Sequence, residues 1–199
     1  MTSKRVQIVV YNAKRRQARS DFSRAAAFHE AAHAVASIIV GKPPADTQIF
    51  ANGSGVHWGD WHTWRTAAPS VEAALWEMIL VFMAGPHVEA RASKRSLRRV
   101  RMSNGVKDFV CADQLIEMMV ERGYVASKKA GWRKADKHRR RFLLVCWPKI
   151  ERVAMRLQAR GIVRAGELKR ICAPRIRQLD RRLWARSGLK VAGAHGLTH

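Results

Sequence analysis

Cysteine is scarce in this chain, and its placement is unhelpful to cross-linking. Cys111, Cys146 and Cys172 are widely separated, odd in number and form no CxxC pair. That excludes a disulfide framework and fits a reducing compartment, so a cytoplasmic location is expected. No uninterrupted apolar run approaches the roughly eighteen residues of a membrane span. The best candidates, 31–40 and 73–85, are short and carry His33 and Glu77. No transmembrane segment is therefore expected. The first twenty residues are basic and acid-free, but they lack the apolar core and small-residue cleavage site of a signal peptide. No repeat of solenoid-like period and no GxxxxGK[ST] loop occurs, so the sequence shows no ATPase motor of its own.

Acidic side chains are also few, 15 against 38 Lys and Arg, for a formal net charge of +23. The imbalance is uneven. Residues 1–90 hold 9 basic and 7 acidic side chains, whereas residues 91–199 hold 29 and 8. Such an excess attracts polyanions, and nucleic acid, an anionic membrane surface or an acidic protein would each satisfy it. The basic runs 94–101 and 128–141 carry few aromatics and no recognisable DNA-binding motif, and a solvated cationic face is their plainest reading.

At 199 residues the chain can bury one sizeable core. The pattern divides it into a basic N-terminal segment, 1–20, with a short strand at 6–11, then one folded domain, 21–185, and a frayed tail, 186–199. Arg24 to Val40 is Ala-rich, free of Gly and Pro, and spaces Phe28, Ala32, Val35 and Ile39 as a helix does before Gly41, Pro43 and Pro44. Residues 46–65 mix β-formers with glycines and predict a small twisted hairpin or sheet. Its Trp58, Trp61 and Trp64 read best as packing residues, and His57 and His62 as surface residues. Ser70 caps a second apolar helix from Val71, which Gly85-Pro86 should kink or break before a further turn to Ala92. A basic loop, 93–103, leads to a third helix, 106–122, with Gly123 as its C-cap. A cationic linker, 127–137, precedes two helical segments meeting at Trp147-Pro148, and a last helix runs from about Ala165 toward Trp184, interrupted at Pro174. The fold class expected is mainly α, with a small β element.

Inside the first helix lies His29-Glu30-Ala31-Ala32-His33. Side chains four apart share a helix face, so the two imidazoles can reach one ion, and zinc is the ion such a pair suits. Glu30, one residue after the first imidazole, projects beside the ion, where a carboxylate can take a proton from an attacking water and deliver it to a leaving amine. Two histidines are half of a catalytic zinc site, which usually has three protein ligands and one open position. The third ligand must come from another segment.

At this point a resemblance enters. FHEAAHAVASIIVGKP, 28–43, looks like the zinc helix of the FtsH-type peptidase domain, the proteolytic half of membrane-bound AAA+ proteases. MAGPHVEARA, 83–92, resembles that family's LGGRAAEE segment, and SNGVKDFVCADQLIEMMV, 103–120, resembles its TGASNDLxxATxxAxxMV segment, in the same order. The resemblance spans about residues 20–170 and is weakest in the C-terminal helices. It implies a zinc metalloendopeptidase with Zn2+ held by His29, His33 and Asp108 and with Glu30 as catalytic base. Glu89 is the main rival for the third position, followed by Glu72, Glu77 and His87. Asp108 has a plainer reading too, as an N-terminal helix charge. Cys111, a turn beyond it, reads as a small buried side chain rather than a ligand.

The chain departs from the family in having Ala32 where Gly is usual, and in lacking the family's transmembrane segments and ATPase module. A stand-alone version would cleave unfolded or loosely folded protein or peptide substrates, unless a separate ATPase delivers them; a homo-oligomer stays open. The family has a strand beside its cleft at the place of the hairpin, whose edge could bind substrate by strand addition. The alternative reading is a non-catalytic nucleic-acid or polyanion-binding protein on a metallopeptidase-like scaffold.

Overall fold

The computed structural model describes residues 24–57 and 70–172. The expectations for 1–20, for Trp58, Trp61, His62 and Trp64, and for the chain beyond 172 lie outside these residues. Within them the chain is mainly helical: α1 (24–39), α2 (Val71–Ala92), α3 (Leu97–Arg101), α4 (Val106–Glu121), α5 (Lys128–Arg160) and α6 (Ala165–Cys172), with strands β1 (Thr47–Ile49), β2 (Gly55–His57) and β3 (Ile162–Val163). The sheet is antiparallel, in the order β2-β1-β3, with Thr47 opposite His57 and Val163, and Ile49 opposite Gly55.

Helix α1 is the central element. Its alanines at 25, 26, 27, 31, 32, 34 and 36 are buried together with Phe28, Val35 and Ile39. A helix buried on nearly every side needs small residues so that neighbouring backbones can approach, and alanine also has the best helix propensity. Around α1 the main core gathers Leu80, Val81, Ala84 and Val88 of α2, Ile150, Val153 and Leu157 of α5, and Ile49, Val163 and Leu168. A second cluster joins the start of α2, through Trp76, Ile79 and Met83, to Ile116 and Met119 of α4 and Ala135 of α5. Helices α2 and α5 thus belong to both cores.

Of four differences from the sequence reading, that double membership explains the first three. Helix α2 runs unbroken through Gly85-Pro86, and α5 runs unbroken through Trp147-Pro148. A proline inside a helix costs about 3 kcal/mol, which apolar contacts on both sides of each proline outweigh. The expected linker 127–137 is instead the first part of α5, capped by Ser127, whose Oγ accepts from the Ala130 amide at 3.2 Å. It is tied to α4 by Lys128 Nζ, 2.6 Å from both Asp113 and Glu117, and by Trp132 Nε1, which donates to Asp113 at 3.1 Å. The expected loop 93–103 contains α3, anchored by the fully buried Val100. Helix α5 ends as a helix with a glycine stop does, at Gly161 with φ 72°.

Helix α2 is long and apolar enough to cross a membrane by length and composition, but 67% of its apolar window is buried inside the domain. Mean hydropathy passes where an uninterrupted run does not, because Glu72, Glu77 and His87 are spaced along it.

The two-core packing makes a direct prediction. Leu157→Ala, at a fully buried site, should lower unfolding free energy by about 2–5 kcal/mol. Met155→Ala, two residues away and 61% exposed, should stay within about 0.5 kcal/mol. Chemical denaturation of both variants checks this.

Candidate metal centre

The HExxH pair sits on the middle of α1, where the helix is regular and both rings project from one face toward α2 and α4. Each ring is fixed through its Nδ1. The Nδ1–H of His33 donates to the Val81 carbonyl at 2.9 Å, and that of His29 donates to Glu89 Oε2, also at 2.9 Å. A carbonyl oxygen only accepts, so the bond to Val81 fixes the proton of neutral His33 on Nδ1. Both Nε2 atoms then face inward, 3.0 Å apart.

Asp108 closes the group from the first turn of α4. Its Oδ2 is 3.1 Å from His29 Nε2 and its Oδ1 is 3.4 Å from His33 Nε2. One ligand atom from each of the three residues lies within 4.8 Å of the others. Donors about 2.0–2.2 Å from a common tetrahedral ion stand about 3.3 Å apart, so the spacing suits zinc. The donor chemistry suits it as well: two imidazole lone pairs and a carboxylate converge with no hydrogen-bond donor among them unless a proton or a cation is added.

Helix α2 decides how closely these parts meet. A Cβ on Gly85 would collide with His33 Nε2, and would lie 2.7 Å from His33 Cε1 and 2.8 Å from His29 Nε2. Glycine therefore lets the backbone of α2 pass directly beside the imidazole edges. The next residue, Pro86, abuts Gly105, where a Cβ would come 2.9 Å from Pro86 Cβ. The start of α4, and Asp108 with it, is thereby pressed over the pair. Gly55 does the same for Glu30 from the sheet side: a Cβ there would stand 2.9 Å from Glu30 Cδ.

The electrostatics follow from this crowding. Burial alone would lower His29, but its hydrogen bonds to Asp108 and Glu89 outweigh that and push it up to about 10. Burial works to raise Asp108, yet its bonds to His29 and His33 hold the carboxyl well below the usual carboxylate range. Glu30, 8% exposed, is raised by burial, with the neighbouring imidazoles opposing.

The rivals for the third position are placed elsewhere. Glu89, fully buried, faces the outer nitrogen of His29 and also accepts from Asn104 Nδ2 at 3.0 Å. It orients a ring instead of joining the group. Glu72 accepts from Trp76 Nε1 near the start of α2, Glu77 interacts with Lys42, and His87 donates to the Met83 carbonyl and packs on Phe109. Cys111 is not part of the group. His57, expected at the surface, is half-buried, with Nδ1 2.9 Å from Thr47 Oγ1. Sequence reasoning missed Gly85 and Gly55 as close-approach positions and Glu89 as the orienting residue. A glycine inside an apolar helical run was the available signal, and it was read as a break.

Asp108→Asn should weaken zinc binding far more than Glu89→Gln, for which a loss of about 10–100-fold is expected because only ring orientation changes. Competition titration with a chromophoric chelator measures both. Zinc uptake should also release about one proton at neutral pH, since His29 carries one there in the metal-free state, and affinity should rise with pH. Calorimetry in two buffers of different ionisation enthalpy reads the proton count.

Comparison with known proteins supplies no family for this arrangement: no family model matches the chain, and no curated protein matches its sequence.

Proposed function

We propose that the chain is a zinc-dependent metallopeptidase that hydrolyses peptide bonds of unfolded or loosely folded proteins, as its resemblance to the FtsH-type peptidase domain implies. The observation that carries this reading is the convergence of His29, His33 and Asp108 on one point, with Glu30 next to His29 on the same helix. Three donors leave a fourth position, as catalytic rather than structural zinc sites do.

His29, His33 and Asp108 would hold the ion. When bound, zinc supplies Lewis acidity, making a water more acidic and a carbonyl more electrophilic. Glu30 then has the role of base: it accepts the proton of the attacking water and passes it to the departing amine nitrogen. Burial raises its basicity, which favours that exchange near neutral pH. Glu89 and the Val81 carbonyl keep both Nε2 atoms aimed inward throughout. Strand β2, last in the described sheet and packed on Glu30 at Gly55, is positioned to lay an extended chain beside the base.

A second reading, polyanion binding, is favoured by one surface. Lys129, Arg133, Lys137 and Arg140 are exposed on α5, as are Arg98, Arg99 and Arg101 on α3. It is compatible with the first reading or could replace it.

One experiment separates them. Zinc-loaded wild type should cleave casein without ATP, and Glu30→Gln should retain stoichiometric zinc while losing cleavage by at least about 100-fold. A zinc-loaded wild type that leaves casein intact, yet binds DNA with a steep salt dependence, would overturn the peptidase reading in favour of the second.

A further inference from the structure

The segment 104–108 meets His29 from two sides. Asp108 stands against the inner nitrogen, its Oδ2 3.1 Å from Nε2. Earlier in the same segment, Asn104 acts on the outer nitrogen through Glu89. Its Nδ2 donates to Glu89 Oε1 at 3.0 Å, and Glu89 Oε2 accepts from His29 Nδ1 at 2.9 Å. A carboxylate oxygen only accepts, so the amide must present its nitrogen here. Asn104 is exposed, whereas Glu89 is fully buried. Asn104 thus reaches the buried site from the surface, through one carboxylate.

The two bonds to Glu89 do different things. The last torsion of a glutamate is broad and nearly two-fold, and so is the ring torsion of a histidine. One hydrogen bond between them leaves both planes free to swing together. A second bond, on the other carboxylate oxygen, fixes the carboxylate plane and through it the plane of His29. A buried carboxylate oxygen that loses such a bond is costly and must turn toward water or another donor. The backbone at 104 does not depend on this side chain. The amides of Ser103 and Gly105 both donate to the Val100 carbonyl at 3.0 Å, Val100 is fully buried, and Gly105 sits against Pro86 of α2. Those contacts seat the loop, which leaves the Asn104 amide available to the site.

We propose that Asn104 is a positioning residue of the metal centre, whose side-chain amide fixes Glu89 and thereby the direction in which His29 offers its Nε2 to a zinc ion. The inference rests on the metal-site half of the peptidase reading and not on cleavage itself. It gives one short segment both tasks at His29: a ligand beside the inner nitrogen, Asp108, and the hold on the outer nitrogen, Asn104 through Glu89. Outer partners of a ligating imidazole change metal affinity by about 10–100-fold. Asn104 stands one bond further out, at a surface where water can take its place, so its effect is smaller.

The test uses the full-length chain, with zinc and a competing chromophoric chelator as the probe and the metal-free thermal midpoint as the control. Asn104→Ala should weaken zinc binding by about 3–10-fold with the midpoint unchanged. Asn104→Gln, which can bring an amide N–H to the same oxygen, should recover part of the loss. In the Glu89→Gln background the charge-assisted bond is gone, and Asn104→Ala should then cost less than about twofold. Losses that multiply in the double variant would overturn the assignment, because a residue that only supports the segment leading to Asp108 acts independently of Glu89. Unchanged zinc affinity in Asn104→Ala overturns it as well, as does a lowered metal-free midpoint. A wild type that binds zinc but leaves casein intact counts against the peptidase reading alone, since the chelator titrations still decide Asn104. A wild type that takes up no zinc overturns both.

Discussion

The arrangement depends on how the two imidazoles of α1 are held from α2. Glu89 grips His29 by its outer nitrogen, and the Val81 carbonyl grips His33 in the same way. These two bonds lie eight residues apart on a helix whose backbone must also pass the rings at Gly85. They form together on an α2 that is continuous from Val81 to Glu89, a span that includes Pro86. The unbroken course of α2 is therefore part of the site, and the apolar packing of Leu80, Val81, Ala84 and Val88 supplies the stability that the proline removes.

The same packing concentrates charge where solvent is excluded. Glu89 is fully buried, and Glu30 and His29 are nearly so. Buried ionisable groups are tolerated when each is paired and hydrogen-bonded, and removing one partner is more damaging than the pair is stabilising. In the metal-free state the proton on His29 performs that pairing, bridging the carboxylates of Glu89 and Asp108. A cation in its place would neutralise more of the surrounding negative charge, which ties ion binding to the stability of the α1, α2 and α4 packing.

The cationic half of the chain is a separate layer of the design. Part of it is structural: Lys128 joins α5 to α4, Arg164 pairs with Asp46 at 2.6 Å, and Arg91 lies over the Trp147 ring at 3.9 Å. Much of the remainder faces solvent, including Arg98, Arg99 and Arg101 on α3 and Lys129, Arg133, Lys137 and Arg140 on α5.

The sequence by itself determined the helical class, the course of α1, the cap at Ser70 and the glycine stop at Gly123, and the pairing of His29 with His33, because all of these depend on residues within one or two turns of one another. It also pointed to Asp108, though by likeness of a segment and not by any local rule. Only the tertiary structure decided that Glu89 turns to the outer nitrogen of His29 while Asp108 meets the inner ones, that Gly85-Pro86 and Trp147-Pro148 lie within continuous helices, and that His57 faces inward beside Thr47. Each of these is settled by contacts between segments far apart in sequence. Long-range packing supplies enough free energy to override local preference, and which nitrogen a carboxylate meets is a matter of helix placement that periodicity does not encode.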